Sequence, residues 1–197
     1  MLRRRGRRPL RVIAGQYRSR PLRSPRGTDV RPTADRLRES LFNVLTAGEP
    51  EALVGSVWLD LYAGTGAVGI EAISRGASQV YFVESSMAAV KIIRGNLASL
   101  GIASGFEVVC SDVVKALQRF EAQSLGVDFI FLDPPYKSER AYGETLQFLG
   151  KSGLVKESTL VIVEHQKKFD PGETTGSLRR SRKLAQGEGG LSFYRRT

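Results

Sequence analysis

A chain of 197 residues with 41% hydrophobic and 25% charged side chains is long enough for one well-packed domain and ordinary for a globular protein. One cysteine excludes an internal disulfide, one histidine beside it excludes a Cys/His metal cluster, and no apolar run approaches membrane-spanning length. The net charge of +10 lies in residues 1–40, with 13 arginines against Asp29, Asp35 and Glu39; the remainder is neutral.

A basic arm on a neutral domain is the electrostatic footprint of a polyanion partner, with a solvated tail as the bland alternative. Residues 1–8 read as a disordered arm without the apolar segment of a signal peptide. The setting expected is a reduced cytoplasm, with an arginine-rich organelle-targeting segment as the minor alternative. Residues 10–24 alternate basic and apolar around Gly15 and Pro21, which predicts a short exposed hairpin or extended strand with arginines on one face. A helix follows over 31–45, with Thr33 as cap, Asp35 in its first turn and Leu37, Leu41, Val44 and Leu45 on one face; Arg36 and Arg38 then point outward.

From residue 57 strands and helices alternate. Strands are predicted at 57–62, 80–83, 106–110, 128–132 and 160–163, and helices at 68–75, 86–100, 112–122 and 139–149. Ser86 and Gly101 bound a helix whose stripe is Met87, Val90, Ile93, Leu97 and Leu100. Segments 178–184 and 191–194 flank Gly187-Glu188-Gly189-Gly190 and predict a closing hairpin. The fold class is α/β: a mostly parallel seven-stranded sheet with helices on both faces, an antiparallel hairpin and a small basic N-terminal extension. Residues 1–50 read as that extension and 51–197 as the main domain. Trp58, Cys110 and His165 are expected to be structural.

Two turns carry chemistry. After the first strand, Gly64-Thr65-Gly66-Ala67-Val68-Gly69 fits a G-x-G-x-x-G pattern, with Glu84 about the right distance beyond to hold ribose hydroxyls. The pattern alone admits a nicotinamide cofactor. Asp60, four residues before the first glycine, instead suits a cationic cofactor end, and no second domain is available for a hydride-donor substrate. After the fourth strand, Asp133-Pro134-Pro135-Tyr136 is a stiff turn presenting a carboxylate, a carbonyl and an aromatic ring at the edge where open α/β sheets bind ligands. An exocyclic amine of a nucleobase has its lone pair delocalised into the ring. Hydrogen bonds from its two N–H groups to Asp133 and the Pro134 carbonyl favour a tetrahedral nitrogen, and Tyr136 stacking on the base adds roughly 1–3 kcal/mol.

Together these turns resemble Rossmann-like S-adenosylmethionine-dependent methyltransferases acting on nucleobase amines. Arg11–Gly15, Arg31–Asn43, Asp60–Ala77, Phe82–Glu84, Asn96-Leu97, Asp133–Tyr136 and Ser192–Arg195 narrow the resemblance to the RsmD-like 16S ribosomal RNA guanine-N2 methyltransferase family. Ser19 departs from it, standing where the family commonly has glycine, and Gln186 stands where an aromatic is expected. The resemblance implies S-adenosylmethionine as cofactor, ribosomal RNA or a partly assembled small subunit as partner, and no metal or membrane. The implied catalytic residues are Asp133, Pro134 and Tyr136. Cofactor binding falls to Asp60, Tyr62, Gly64, Thr65, Gly66, Glu84, Ser111 and Asp112, with Asp60 near the ammonium and Asp112 on the adenine amine. RNA contacts fall to Arg18, Arg20, Arg31, Arg36 and Arg38. An adenine-N6 methyltransferase and a non-catalytic RNA-binding protein of the same fold are the alternatives.

Overall fold

The computed structural model describes residues 10–25, 32–135 and 138–197, without the side chains of 32–34. Its elements run α1 (Pro32–Leu45), β1 (Val57–Leu61), α2 (Ala67–Ser74), β2 (Gln79–Glu84), α3 (Met87–Leu100), β3 (Phe106–Cys110), α4 (Val113–Ala122), β4 (Phe129–Leu132), α5 (Glu139–Leu149), β5 (Leu160–Gln166), β6 (Thr174–Thr175), β7 (Leu178–Gln186) and β8 (Gly189–Arg196). The sheet has eight strands in the order β3-β2-β1-β4-β5-β8-β7-β6. The first five are parallel, and β8, β7 and β6 close the sheet antiparallel. The expectation of seven strands missed the two-residue β6, which is too short to carry an alternation.

Side-chain alternation sorts the core into two layers. Trp58, Phe82, Phe131, Ile162 and Phe193 point to the face covered by α1, α2 and α3. Leu59, Leu61, Val83, Ile130, Val161 and Tyr194 point to the face covered by α4 and α5. Trp58 is fully buried, stacked between Phe42 at 5.6 Å and Phe129 at 5.1 Å, and its indole N–H has no partner among the described residues. Caps fall where the side chains demand them: Ser86 Oγ accepts from Ala89 N, and Gly101 closes α3 in the left-handed region.

The N-terminal segment is built into this core. Leu10, Val12 and Leu22 are buried with α1, α2 and α3, and a hairpin is closed by the single bridge Arg11–Pro21. The buried Glu71 carboxylate of α2 accepts from Ile13 N at 2.7 Å, Ala14 N at 2.9 Å and Arg75 Nε at 2.9 Å. Gly15 lies against Ser74, whose carbonyl a Cβ would meet at 1.9 Å, and Ser74 Oγ bonds both Ala14 O and Tyr17 N. The hairpin expected to be exposed is therefore half-buried, because its apolar positions lie on helices rather than in solvent.

Four further expectations need correction. Arg38 does not point outward: it is 6% exposed, with Nη2 donating to Arg11 O at 2.6 Å and Asp35 Oδ1 at 3.2 Å. It shares the inward stripe with Leu41 and Phe42 at helical spacing, beside the expected Leu37, Val44 and Leu45. Met87 is 56% exposed, because it opens α3 before the turn that packs. Cys110 is exposed at the end of the edge strand β3. The helix α1 starts at Pro32, ahead of the assumed cap Thr33. His165 is buried as expected, with Nε2 3.0 Å from Ser192 Oγ and Nδ1 2.8 Å from Gln166 O.

Candidate active site

The strand order turns about β1 and β4, the place where a doubly wound sheet opens a crevice at its carboxyl edge. Leu61 of β1 pairs with Leu132 of β4, so the glycine-rich turn and the Asp133-Pro134 turn leave the sheet side by side. Asp133 N reaches Leu61 O at a long 3.5 Å. The two halves of the site expected from sequence thus share one edge.

The glycine-rich turn is held by carboxylates. Asp60, only 2% exposed, accepts from Gly69 N at 2.9 Å; Glu84 accepts from Gly64 N at 2.9 Å and Ser86 N at 2.8 Å. Gly66 has φ 75° beside Ile93, and a Cβ on Gly69 would lie 2.3 Å from Phe82, so glycine there lets α2 pack onto the sheet. Tyr62 sits at φ 64°, a left-handed conformation costly for a bulky residue. Its hydroxyl bonds Thr145 Oγ1 at 2.8 Å, which ties the end of β1 to α5.

These carboxyls feel one another. Burial pushes the Asp60 carboxyl up to about 8, and the negative charges of Asp133 and Glu84 add to the effect against the Gly69 amide. Desolvation lifts Asp133 to about 7. A buried carboxyl cluster of this kind gains from a cation placed beside it.

The substrate-side turn is anchored from behind. Tyr142 of α5, 2% exposed, brings its hydroxyl to Pro134 O at 3.3 Å and Glu164 O at 3.1 Å. A carbonyl oxygen has two lone pairs, so Pro134 keeps one for another donor.

The remaining expected residues distribute as follows. Thr65 contributes its carbonyl to Asn96 Nδ2 at 2.9 Å, and Ser111 N donates to Glu84 O at 3.1 Å. Asp112 caps α4, with Oδ1 accepting from Val114 N and Lys115 N. Arg36 is exposed on α1. Arg18 is exposed on the turn that packs against the far end of α2, and Arg20 donates to Ser99 O near the end of α3. Arg31 and Tyr136 lie outside the described residues. Glu71, Asn96, Thr145 and Tyr142 were missed as site-supporting residues. The visible signal for two of them is a polar residue inside an apolar helical stripe, Glu71 in α2 and Asn96 in α3. Asn96, fully buried, takes Arg23 N on Oδ1 and gives Nδ2 to Arg23 O and Thr65 O.

A family model described as conserved hypothetical protein 95 matches residues 10–195. The Escherichia coli K12 protein named "Ribosomal RNA small subunit methyltransferase D" is 34% identical over 157 residues, 80% of this chain and 75% of that one. The chain belongs to this RsmD-like family. A further relative, the Bacillus subtilis protein "Putative rRNA methyltransferase YlbH", is 33% identical over 187 residues, 95% of this chain and 99% of that one. The solved structure of the Thermus thermophilus hypothetical protein TTHA0928 superposes with a TM-score of 0.77 at 30% identity, covering 93% of this chain and 97% of that one. Among the described residues no helix is long and apolar enough to cross a membrane, and no group of three or more His, Cys, Asp or Glu is placed to hold a metal.

Proposed function

We propose that this chain transfers a methyl group from S-adenosylmethionine to the exocyclic N2 amine of a guanine in small-subunit ribosomal RNA. The observation that carries the reading is the shared edge: the Asp133-Pro134 turn leaves β4 directly beside the carboxylate-held glycine turn of β1, in a chain of the RsmD-like family.

The residues present fit the cofactor. Asp60 and Glu84 supply negative charge beside a glycine cradle, and the elevated Asp60 carboxyl ionises readily once a cation lies next to it. When bound, S-adenosylmethionine supplies an electrophilic methyl on a sulfonium. Glu84 retains lone pairs for ribose hydroxyls, and Asp112 keeps Oδ2 for the adenine amine while Oδ1 caps α4.

Asp133 and the Pro134 carbonyl accept the two N–H groups of the amine and aim its lone pair at the methyl. Asp133 would accept the proton that the nitrogen loses on methylation. A carboxyl near 7 suits that task at neutral pH. Tyr142 fixes the Pro134 carbonyl from the rear, and Tyr136 is assigned base stacking from sequence alone. Positioning and charge preorganisation provide the acceleration. The base must be unpaired or extruded to reach the turn. Residues 1–50 act as an RNA-binding extension, with Arg18, Arg20, Arg31 and Arg36 on phosphates, giving salt-sensitive affinity.

The test is incubation with labelled cofactor and small-subunit RNA followed by nucleoside analysis. N2-methylguanosine is expected; N6-methyladenosine would move the reading to the adenine enzyme, and no product with no cofactor binding would favour a non-catalytic RNA-binding role. Asp133→Ala is expected to abolish product while cofactor affinity holds. Full turnover in that variant removes Asp133 from the chemistry.

A further inference from the structure

The β7–β8 hairpin carries Arg179, Arg180, Arg182, Lys183, Arg195 and Arg196 against a single acid, Glu188, at its tip. A regular strand would put Arg179 and Arg182 on opposite faces. The register shift between Arg180 and Arg182 changes that: Arg179 lies opposite Arg195, and Arg182 lies opposite Phe193, two residues along the same strand. Arg179, Arg182 and Arg195 therefore share the face on the α1 side, while Arg180 and Lys183 share the other.

The two faces are treated differently. On the far face Asp170 neutralises both cations, with Oδ1 2.5 Å from Arg180 and Oδ2 2.8 Å from Lys183. On the α1 face Arg179 and Arg182 are exposed and have no ion-pair or side-chain hydrogen-bond partner among the described residues. Arg195 uses one nitrogen on Ser158 O, 3.1 Å away. Arg179 and Arg195 also stand directly across the ladder, an arrangement that is destabilising for like charges in a sheet. Arg182 and Arg195 border an open depression of about 770 Å³, whose acids are Glu49 and Asp128; Asp128 Oδ2 accepts from Val57 N. Charge on an edge strand does discourage stray strand pairing. That need is met by any charge and does not require two arginines opposed across a ladder with no acid between them.

We propose that Arg179, Arg182 and Arg195 form a second phosphate-binding surface for the RNA substrate, separate from the N-terminal extension. The inference rests on the RNA-methyltransferase reading and adds a place where the RNA backbone is held. β7 spans from the hairpin tip, where Gln186 bonds Ser40 of α1, to Arg179 seven residues away. At ~3.3 Å per residue the cations lie about 13–23 Å along the strand from that tip, which is the end near the carboxyl edge of β5. The active-site turns leave the same carboxyl edge a few strands farther across, at about 4.8 Å per strand, a span that a structured RNA with one base in the active site covers.

The experiment measures binding of a small-subunit ribosomal RNA transcript between 50 and 200 mM salt for the full chain, the Arg179→Ala/Arg182→Ala variant, and Lys183→Ala as the opposite-face control. Each phosphate contact contributes roughly 0.7–0.9 to the slope of log affinity against log salt. The double variant is expected to lose about 1.4–1.8 of slope, so its fourfold-salt penalty shrinks by roughly 7- to 12-fold. Its cofactor affinity, and the slope of Lys183→Ala, should be unchanged, and its melting temperature should not fall. An unaltered slope in the double variant, with wild-type methylation intact, overturns this surface and leaves the enzyme reading standing. An equal drop in Lys183→Ala overturns it as well, because net charge rather than this face would then be responsible. A wild-type chain that neither binds nor methylates RNA overturns both readings.

Discussion

Asp60→Asn isolates the buried charge at the site. The carboxamide oxygen can still accept from Gly69 N, so the turn keeps its 2.9 Å bond, while the ability to ionise is gone. In the folded wild type the group sits at about 8 against an ordinary 3.8. A raised folded-state value means the folded chain holds a proton that the unfolded chain has released. Stability from this group is therefore complete below about pH 4 and is lost as pH rises toward 8. Between pH 5 and 7 the slope approaches about 1.4 kcal/mol per pH unit, or roughly 2.7 kcal/mol over the interval, as an upper figure before local relaxation. Urea unfolding without cofactor at pH 5, 6, 7 and 8 reads this directly. The absolute stability of the variant carries a constant offset from the new amide, so the difference in pH slope is the quantity that matters. The wild type should lose about 2–3 kcal/mol more than the variant from pH 5 to 7. Parallel profiles would show that Asp60 is already ionised in the fold, and the proton release on cofactor binding assigned to it would fail. Cofactor affinity should rise with pH toward 8 in the wild type and lose that component in Asp60→Asn, since binding a cation there expels the proton.

Two smaller perturbations test the supports. Tyr142→Phe removes the hydroxyl behind Pro134 and should lower kcat on the order of tenfold, corresponding to about 1–1.5 kcal/mol, with cofactor affinity unchanged; an intact kcat beside a lower melting temperature would make Tyr142 a structural residue only. Ser19→Gly should stabilise the fold by about 0.5–1 kcal/mol in urea unfolding, because Ser19 is held at φ 67°, a conformation glycine adopts without the Cβ clash. Destabilisation would mean that the entropy of glycine in the unfolded chain outweighs that relief.

That same angle would suit the glycine that the resemblance leads one to expect there, and Ser19 is one of several places where sequence and structure can be compared residue by residue. The strand Phe106–Cys110 and the helices beginning after Ser86 and Asp112 were legible because periodicity and caps agreed. The shared edge was legible because Asp60 lies at the end of one buried strand and Asp133 just after another, each beside a turn that glycine or proline enforces. Arg38 was misread because an arginine inside an amphipathic pattern looks solvated, and only the Arg11 carbonyl and Asp35 reveal why it turns in. Tyr142 and Thr145 lay in a helix with ordinary spacing, and their importance comes from partners on Pro134 and Tyr62 that sequence does not bring together. The sorting of Arg179 to Lys183 onto two faces depended on a register shift that no local pattern announces.

The contact between Glu71 and the backbone of Ile13 and Ala14 places a limit on trimming the chain. Cutting back as far as residue 14 would strip two donors from a carboxylate with no solvent access, leaving Arg75 as its remaining neighbour among those bonds. Shortening the leading arginines is one experiment, and going past Leu10 is another, since the second unpicks the scaffold of the helix that follows the glycine turn. Loss of RNA affinity after a deep deletion would then report a damaged interior as readily as missing positive charge.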